Sequence, residues 1–222
     1  MEKHVDELFN KFNTNLLTMA ALTEESIHKS VEALKSRNKV LAQQVIEEDK
    51  AIDDLENTIQ EEAIELLALS QPMASNLRFI TTGMSLNNQL ERIADLAVNI
   101  SQRAMDLAEL PLLKSLVEIP KLSEIAKRNV KRAIDAFVKH DEALAKEVIF
   151  SDKEANQLRT LIIQELIYDY MVKDGKTAPR AVPLLLVARD LERICDHAAN
   201  IAEDVIYMIQ AKVVKHHIKE LT

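Results

Sequence analysis

The sequence predicts an all-α protein made of two tandem three-helix bundles that arose by internal duplication. Three observations predict it. The first is composition: 222 residues hold only two glycines and five prolines, no tryptophan, and an excess of Ala, Leu, Ile, Glu and Lys, which is a helical make-up. The second is spacing. Leu86, Leu90, Ile93, Ala97, Ile100, Ala104 and Leu107 recur at alternating steps of four and three, the pattern of an apolar seam on one helix face. The third is repetition. Val187, Leu191, Ile194, Ala198, Ile201, Val205 and Met208 repeat that spacing at a constant offset of 101 residues.

Taken in order, a first helix is expected from about residue 4 to 36, with Leu8, Phe12, Leu16, Met19, Ile27, Val31 and Leu34 inward. The polar break Ser36-Arg37-Asn38 turns the chain. A second helix follows over about 39–69, with Ile52, Leu55, Ile59, Ala63 and Leu66 inward. Ser70-Gln71-Pro72 stops it, and Pro72 suits the first turn of the third helix. Gly83 lies inside that third helix at a cost of about 1 kcal/mol against Ala, so it marks a close contact or a kink. Pro111 and Pro120 bracket the junction between halves of 1–110 and 119–217. The second half repeats the plan: a fourth helix over about 121–139, a fifth over about 141–172 with Asp141 as N-cap, a turn at Lys173-Asp174-Gly175-Lys176, and a sixth over about 180–217. Lys212, Lys215, His216 and His217 place cations at its C-terminus, where the helix dipole favours them.

The bulk numbers exclude several classes. Net charge is −8, which argues against a nucleic-acid surface. Cys195 is the only cysteine, so no disulfide framework exists and a reducing cytosol is expected. The N-terminal stretch from Met1 to Glu7 is charged and lacks a signal peptide's apolar core. The longest apolar run, Ala181 to Ala188, is too short for a bilayer and contains Pro183. No glycine-rich phosphate loop and no nucleophile–base arrangement is present, so an enzyme is not expected.

A nine-residue phrase occurs twice. It runs Glu91-Arg92-Ile93-Ala94-Asp95-Leu96-Ala97-Val98-Asn99, then Glu192-Arg193-Ile194-Cys195-Asp196-His197-Ala198-Ala199-Asn200. Steps of four place Glu, Asp and Asn in one drifting stripe, and a like-charge pair at that spacing costs a few tenths of a kcal/mol. Asp95 and Asn99 fall nearly opposite the seam and Glu91 on its flank, so the stripe belongs on the surface or in a groove. Asp49, Asp53 and Glu56 of the second helix also fall beside their own seam. The plain alternative is a solvated charged face. The chemical one is a divalent cation: carboxylate and amide oxygens are hard ligands that suit Mg, Ca, Mn or iron, and the Cys and paired His of structural zinc are missing. His197 is read as a packing residue, Cys195 as a buried inert thiol, and Arg92 and Arg193 as partners in inter-helix ion pairs.

These phrases, with Ser70-Gln71-Pro72-Met73-Ala74-Ser75-Asn76-Leu77-Arg78, Asn87-Asn88-Gln89-Leu90 and Asp190-Leu191, resemble the PhoU family of phosphate-signalling regulators over nearly the whole chain. The resemblance implies the PhoU-like fold of two three-helix bundles and a cytoplasmic protein, held at the inner face of the membrane only through its partners. It implies a negative regulator of phosphate homeostasis, without catalytic residues. The implied partners are the sensor histidine kinase of the phosphate regulon and the phosphate ABC transporter ATPase, and the implied assembly is a homodimer. It also implies a surface metal, with iron, Mn, Mg and Zn as candidates. Carried over by position, Glu91 and Asp95 supply one motif and Glu192 and Asp196 the other. Asp49 and Asp53 complete the first site and Asp152 contributes to the second, with Asn99, Asn200, Arg92 and Arg193 around them. The second site departs from the first: Asn156 stands where Asp53 does and Arg159 where Glu56 does, with Asp190, aligned with Gln89, as a compensating acid. A weaker second site is expected.

Two other readings compete. A carboxylate-bridged dimetal oxidase needs Glu-x-x-His motifs pointing into a core, and here the second acid comes at the fourth step with no histidine in that place. An inert helical scaffold would leave the stripes indifferent to metal.

Overall fold

The two halves turn their first corners with the same chemistry. Arg37 and His140, 103 residues apart, both adopt left-handed backbone, with φ of 57° and 52°. The next residue in each case, Asn38 or Asp141, returns its N–H to the carbonyl five residues back (Ala33 or Ala136, both 2.9 Å). This closes the preceding helix in a Schellman-type turn. Its side chain then accepts from the N–H three residues ahead, Leu41 at 3.1 Å and Leu144 at 3.0 Å, capping the next helix.

The computed structural model describes residues 2–212. It contains α1 (Glu2–Ser36), α2 (Lys39–Ser70), α3 (Ala74–Ala108), α4 (Glu118–Lys139), α5 (Glu142–Gln164) and α6 (Ala178–Gln210), with no strand among the described residues. Each half is three helices deep, and both predicted seams are buried along their full length. The halves meet through α3 and α6, which run antiparallel side by side, and through α1 and α4. The apolar interior is therefore continuous across the duplication. No described helix is long and apolar enough to cross a membrane.

Several boundaries differ from expectation. Pro72 lies outside the third helix: Gln71 is left-handed (φ 43°), the chain needs three non-helical residues to reverse, and α3 starts after Met73. The fourth helix begins at Glu118 and takes Pro120 into its first turn, where the missing N–H costs nothing. The fifth α-helix stops at Gln164, and the chain continues as a π-helix over Glu165–Met171 and a short 3-10 turn at Gly175–Thr177. The sixth begins at Ala178, with Pro179 tolerated in its first turn, and ends at Gln210, because Ala211 turns left-handed (φ 56°). The expected continuation over 213–217, with its cationic tail, lies outside the described residues.

Both ends of α3 are pinned. At one end Phe79 of α3 stacks on Phe137 of α4 (ring centroids 5.1 Å apart) and meets Phe12 of α1 edge-on at 6.3 Å. At the other, Arg37 donates to the carbonyls of Ala108 and Leu110 (2.8 and 2.6 Å), satisfying acceptors that the end of α3 leaves open. Lys114 of the connecting segment pairs with Glu118 and Glu165.

Candidate metal centres

The helical stripe behaves as its periodicity demands. Asp95 is exposed and Glu91 half-buried on the outer side of α3, while Ile93, Ala94, Leu96 and Ala97 around them are buried. α2 lies alongside, tied to α3 where Asn87 donates to the Glu56 carbonyl (2.9 Å). Asp49, half-buried, and Asp53, exposed, thereby face the stripe across a groove.

The electrostatics show the five acids gathered. Burial first, then the charges of Asp53 and Asp95, push Asp49 up to about 6 from 3.8. Burial, then Asp95 and Glu56, push Glu91 upward, with Arg92 opposing weakly. Asp49, Asp53, Glu56, Glu91 and Asp95 form no ion pair among the described residues. The groove is thus an uncompensated cluster of hard oxygen donors, the donor chemistry a divalent cation requires. In the present rotamers no three His, Cys, Asp or Glu side chains among the described residues converge closely enough to hold an ion, so loading would swing carboxylates inward.

The second groove is built on the same plan between α5 and α6 but is filled differently. Asp152 and Asp196 lie close to one another and to Glu192, so each feels its acidic neighbours. Burial, then Glu192 and Asp152, push Asp196 up to about 6 from 3.8. Burial and Glu192 also raise Asp152, against a 2.8 Å hydrogen bond from Asn156. Arg159 donates to Glu192 at 3.0 Å and to Asn156 at 3.3 Å. A guanidinium therefore supplies inside this groove the positive charge that the first groove lacks.

Three expectations need correction. Asp190 does not compensate the second groove: it is buried and paired with Arg103 of α3, on the side where the halves meet. Arg92 and Arg193 form no inter-helix ion pair among the described residues. Both are exposed, and Arg92 donates to Asn88 of its own helix at 3.3 Å. Asn200 points to Gln89 of α3 (3.5 Å), away from the acids, and the Asn99 side chain makes no hydrogen bond among the described residues. His197 is a packing residue, with its Nδ1 2.7 Å from Gln89 Oε1. Burial, then Arg193 and Arg92, press its pKa down to about 4. Cys195 is fully buried, and burial holds its thiol protonated. The Gln89–His197 contact had no signal in sequence, since the two residues are not equivalent positions of the repeats.

The raised carboxyls give a pH dependence of definite sign. Asp49 and Asp196 bind protons more tightly folded than unfolded, so their contribution is most favourable below about pH 4 and is lost as pH rises through about 6. Solvent screening reduces each loss to about 1 kcal/mol. His197, pressed down to about 4, acts in the opposite sense over the same window, so the carboxyl contribution is read as a difference: relative to wild type, metal-free Asp49→Asn will gain melting temperature between pH 5 and pH 7.5. Thermal melts of both proteins in chelator check this, and a difference that stays flat or reverses as pH rises would contradict it.

Comparison with known proteins accounts for both halves. A family model described as "PhoU domain" matches residues 16–104 and again 119–205. The chain is 43% identical over 206 residues to the phosphate-specific transport system accessory protein PhoU homolog of Aquifex aeolicus, covering 92% of this chain and 93% of the other. The Pseudomonas putida homolog is 36% identical over 96% of this chain and 85% of its own length. Among solved structures, PhoU from Pseudomonas aeruginosa superposes with a TM-score of 0.89 at 35% identity, covering 93% and 99%. The phosphate transport system regulatory protein PhoU from Streptococcus pneumoniae gives 0.87 at 27%, covering 95% and 99%. With the domain matched twice, once on each three-helix unit, this chain belongs to the PhoU family.

Proposed function

We propose that this protein is a non-enzymatic, cytoplasmic accessory regulator of a phosphate transport system. It restrains high-affinity phosphate uptake and phosphate-regulon signalling through contacts with the transporter ATPase and the sensor histidine kinase. The observation that carries this reading is the near end-to-end match to proteins named for that system. Deleting the gene tests it: starvation-gene expression and uptake should rise in phosphate-rich medium, and unchanged expression and uptake would sink the assignment. A pull-down from phosphate-replete cells, with and without chelator, should recover the kinase and the ATPase.

Self-association as a homodimer has support in apolar side chains left exposed on the outer helices of both repeats, Val40, Ile64 and Leu69 of α2 among them. The outer face of α5 exposes Phe150 and Leu161, and Tyr168 is exposed in the π-helix that follows; the equivalent positions of α2 carry Glu47, Thr58 and Glu65. The fold does not require apolar residues there. Sedimentation that returns only the 25.1 kDa monomer would remove this part.

The first groove is the better metal site. Asp49 and Asp53 from α2 and Glu91 and Asp95 from α3 would hold a divalent ion there. The ion would supply the positive charge that relieves their repulsion and cross-link the two helices. Asp152, Glu192 and Asp196 would hold one less well, because Arg159 already neutralises Glu192. The outward face of the cluster argues against an oxidase working in a core.

Stability linkage separates the grooves. A ligand that binds only the folded state adds about 2.7 kcal/mol at a hundredfold excess over its Kd. Wild type will gain melting temperature on adding Mn. Asp95→Ala will match or slightly exceed wild type in chelator and lose most of that gain. Asp196→Ala will lose less, and Asn156→Asp with Arg159→Glu will enlarge the response. Equal metal response in wild type and Asp95→Ala would leave the stripe a solvated face.

A further inference from the structure

Between the two acidic grooves runs a strip that the metal reading does not use. The register of α3 on α6 is set by Arg78 Nε donating to the Met208 carbonyl (2.9 Å), by Gln89 against His197 (2.7 Å), and by the Arg103–Asp190 ion pair. Going three residues on from Gln89 and four back from His197 brings Arg92 opposite Arg193 across the antiparallel pair. These are equivalent residues of the two repeats, so the two guanidiniums straddle the molecule's internal dyad. His197 feels the charge of both, which places them about one imidazole.

Both arginines are exposed, and neither has a carboxylate partner among the described residues. Asn88 steadies Arg92 through Nε at 3.3 Å, leaving its terminal nitrogens free to donate outward. Arg189, one turn before Arg193 and the repeat equivalent of Asn88, adds a third exposed guanidinium without an ion pair among the described residues. Two like charges facing each other across a dyad gain from an anion placed on that dyad. The planar fork of each guanidinium matches the edge of a tetrahedral oxyanion.

We propose that Arg92 and Arg193, with Arg189 beside them, bind a phosphate-type dianion on the internal dyad of the α3–α6 face. The nearby carboxylates of Asp95 and Asp196 oppose such an anion when the grooves are metal-free. Cations in the grooves reverse that field, so phosphate and divalent metal strengthen each other's binding by the same factor. Only this coupling rests on the metal reading; the anion site itself does not.

Calorimetric titration of the full chain with orthophosphate, metal-free at low salt and again with Mn, tests the proposal, with Mn binding titrated separately. Wild type should bind orthophosphate. The Arg92→Gln/Arg193→Gln variant should bind it at least about tenfold more weakly while melting like wild type and keeping Mn at least as tightly. Arg92→Lys should fall between, since it keeps charge but loses the fork. Adenosine diphosphate serves as a second arm: tighter binding than orthophosphate would assign the site to a phosphate ester, weaker binding to the free anion, and both support the class. No orthophosphate binding in either state overturns the proposal. So does binding that the double variant leaves unchanged, which would place the anion on the metal instead. If Mn fails to bind wild type, the metal reading falls and the metal-free titration decides the anion site alone.

Discussion

Valine in place of Gly83 will destabilise the protein by about 3 kcal/mol, read from the urea midpoint at constant slope. A Cβ at this position would lie 2.5 Å from Phe12 Cζ and 3.1 Å from Leu16 Cδ1. Phe12 is fully buried and its ring is backed edge-on by Phe79, so it has little room to retreat. Alanine adds one methyl and recovers about 1 kcal/mol of helix propensity, leaving a smaller loss of about 1 kcal/mol after overpacking. Shrinking the ring should then help: Phe12→Leu, costly alone, will cost less in the Gly83→Ala background. Gly83→Ala as stable as wild type would show that the ring moves freely and that the contact of α1 with α3 is loose.

Gly83 also shows what the sequence conceals. Its place inside a helix marked a close contact or a kink, but only the fold identifies Phe12 as the neighbour. The seams were readable because seven apolar positions in regular steps leave one face to bury. The acidic stripe was readable for the same reason, and aligning the repeats exposed Arg159 as a cation where the first half has Glu56. What escaped was every relation between the halves. Asp190 looked like a spare acid for the second groove because alignment compares residues within repeats; its partner Arg103 lies on the other repeat and across the dyad. Arg92 and Arg193 looked like ion-pair partners because charges on long helices usually find one, whereas their face looks outward.

The turns were half-legible. Asp141 announced its cap by standing before a helical run, but the matching pair Arg37-Asn38 sat in a break read only as polar. A left-handed residue that is not glycine carries little local signal, so Arg37 and His140 became recognisable as equivalents only through their backbone. The π-helix at Glu165–Met171 had no signal at all, because a shift of one residue in hydrogen-bond register leaves composition and apolar spacing almost unchanged.

Arg103→Leu will cost more than Asp190→Ala, although the two substitutions break the same ion pair. The carboxyl of Asp190 is 6% exposed and the Arg103 side chain 22%. Without Asp190, the long arginine side chain can reach toward water, so Asp190→Ala should cost about 1–3 kcal/mol. Without Arg103, a buried carboxylate keeps its desolvation and loses its counter-charge, and about 3–5 kcal/mol is expected at pH 7.5. Burial already pushes Asp190 upward even with Arg103 holding it down. In Arg103→Leu its folded pKa will therefore rise further above the unfolded one. That deficit is smallest at low pH, where the carboxyl is protonated in both states, and grows as pH climbs through the raised folded value. Denaturant unfolding at pH 5 and pH 7.5 should show Arg103→Leu closing on wild type at the lower pH, while the Asp190→Ala gap moves the other way and does not widen as pH rises, because wild type itself carries the raised carboxyl. Arg103→Leu with Asp190→Leu should recover much of the loss, since an apolar pair at the junction of α3 and α6 leaves no charge to desolvate. If the two single variants lose equal stability at both pH values, the charge of Asp190 is not carried by Arg103, and the join between the repeats is held by packing alone.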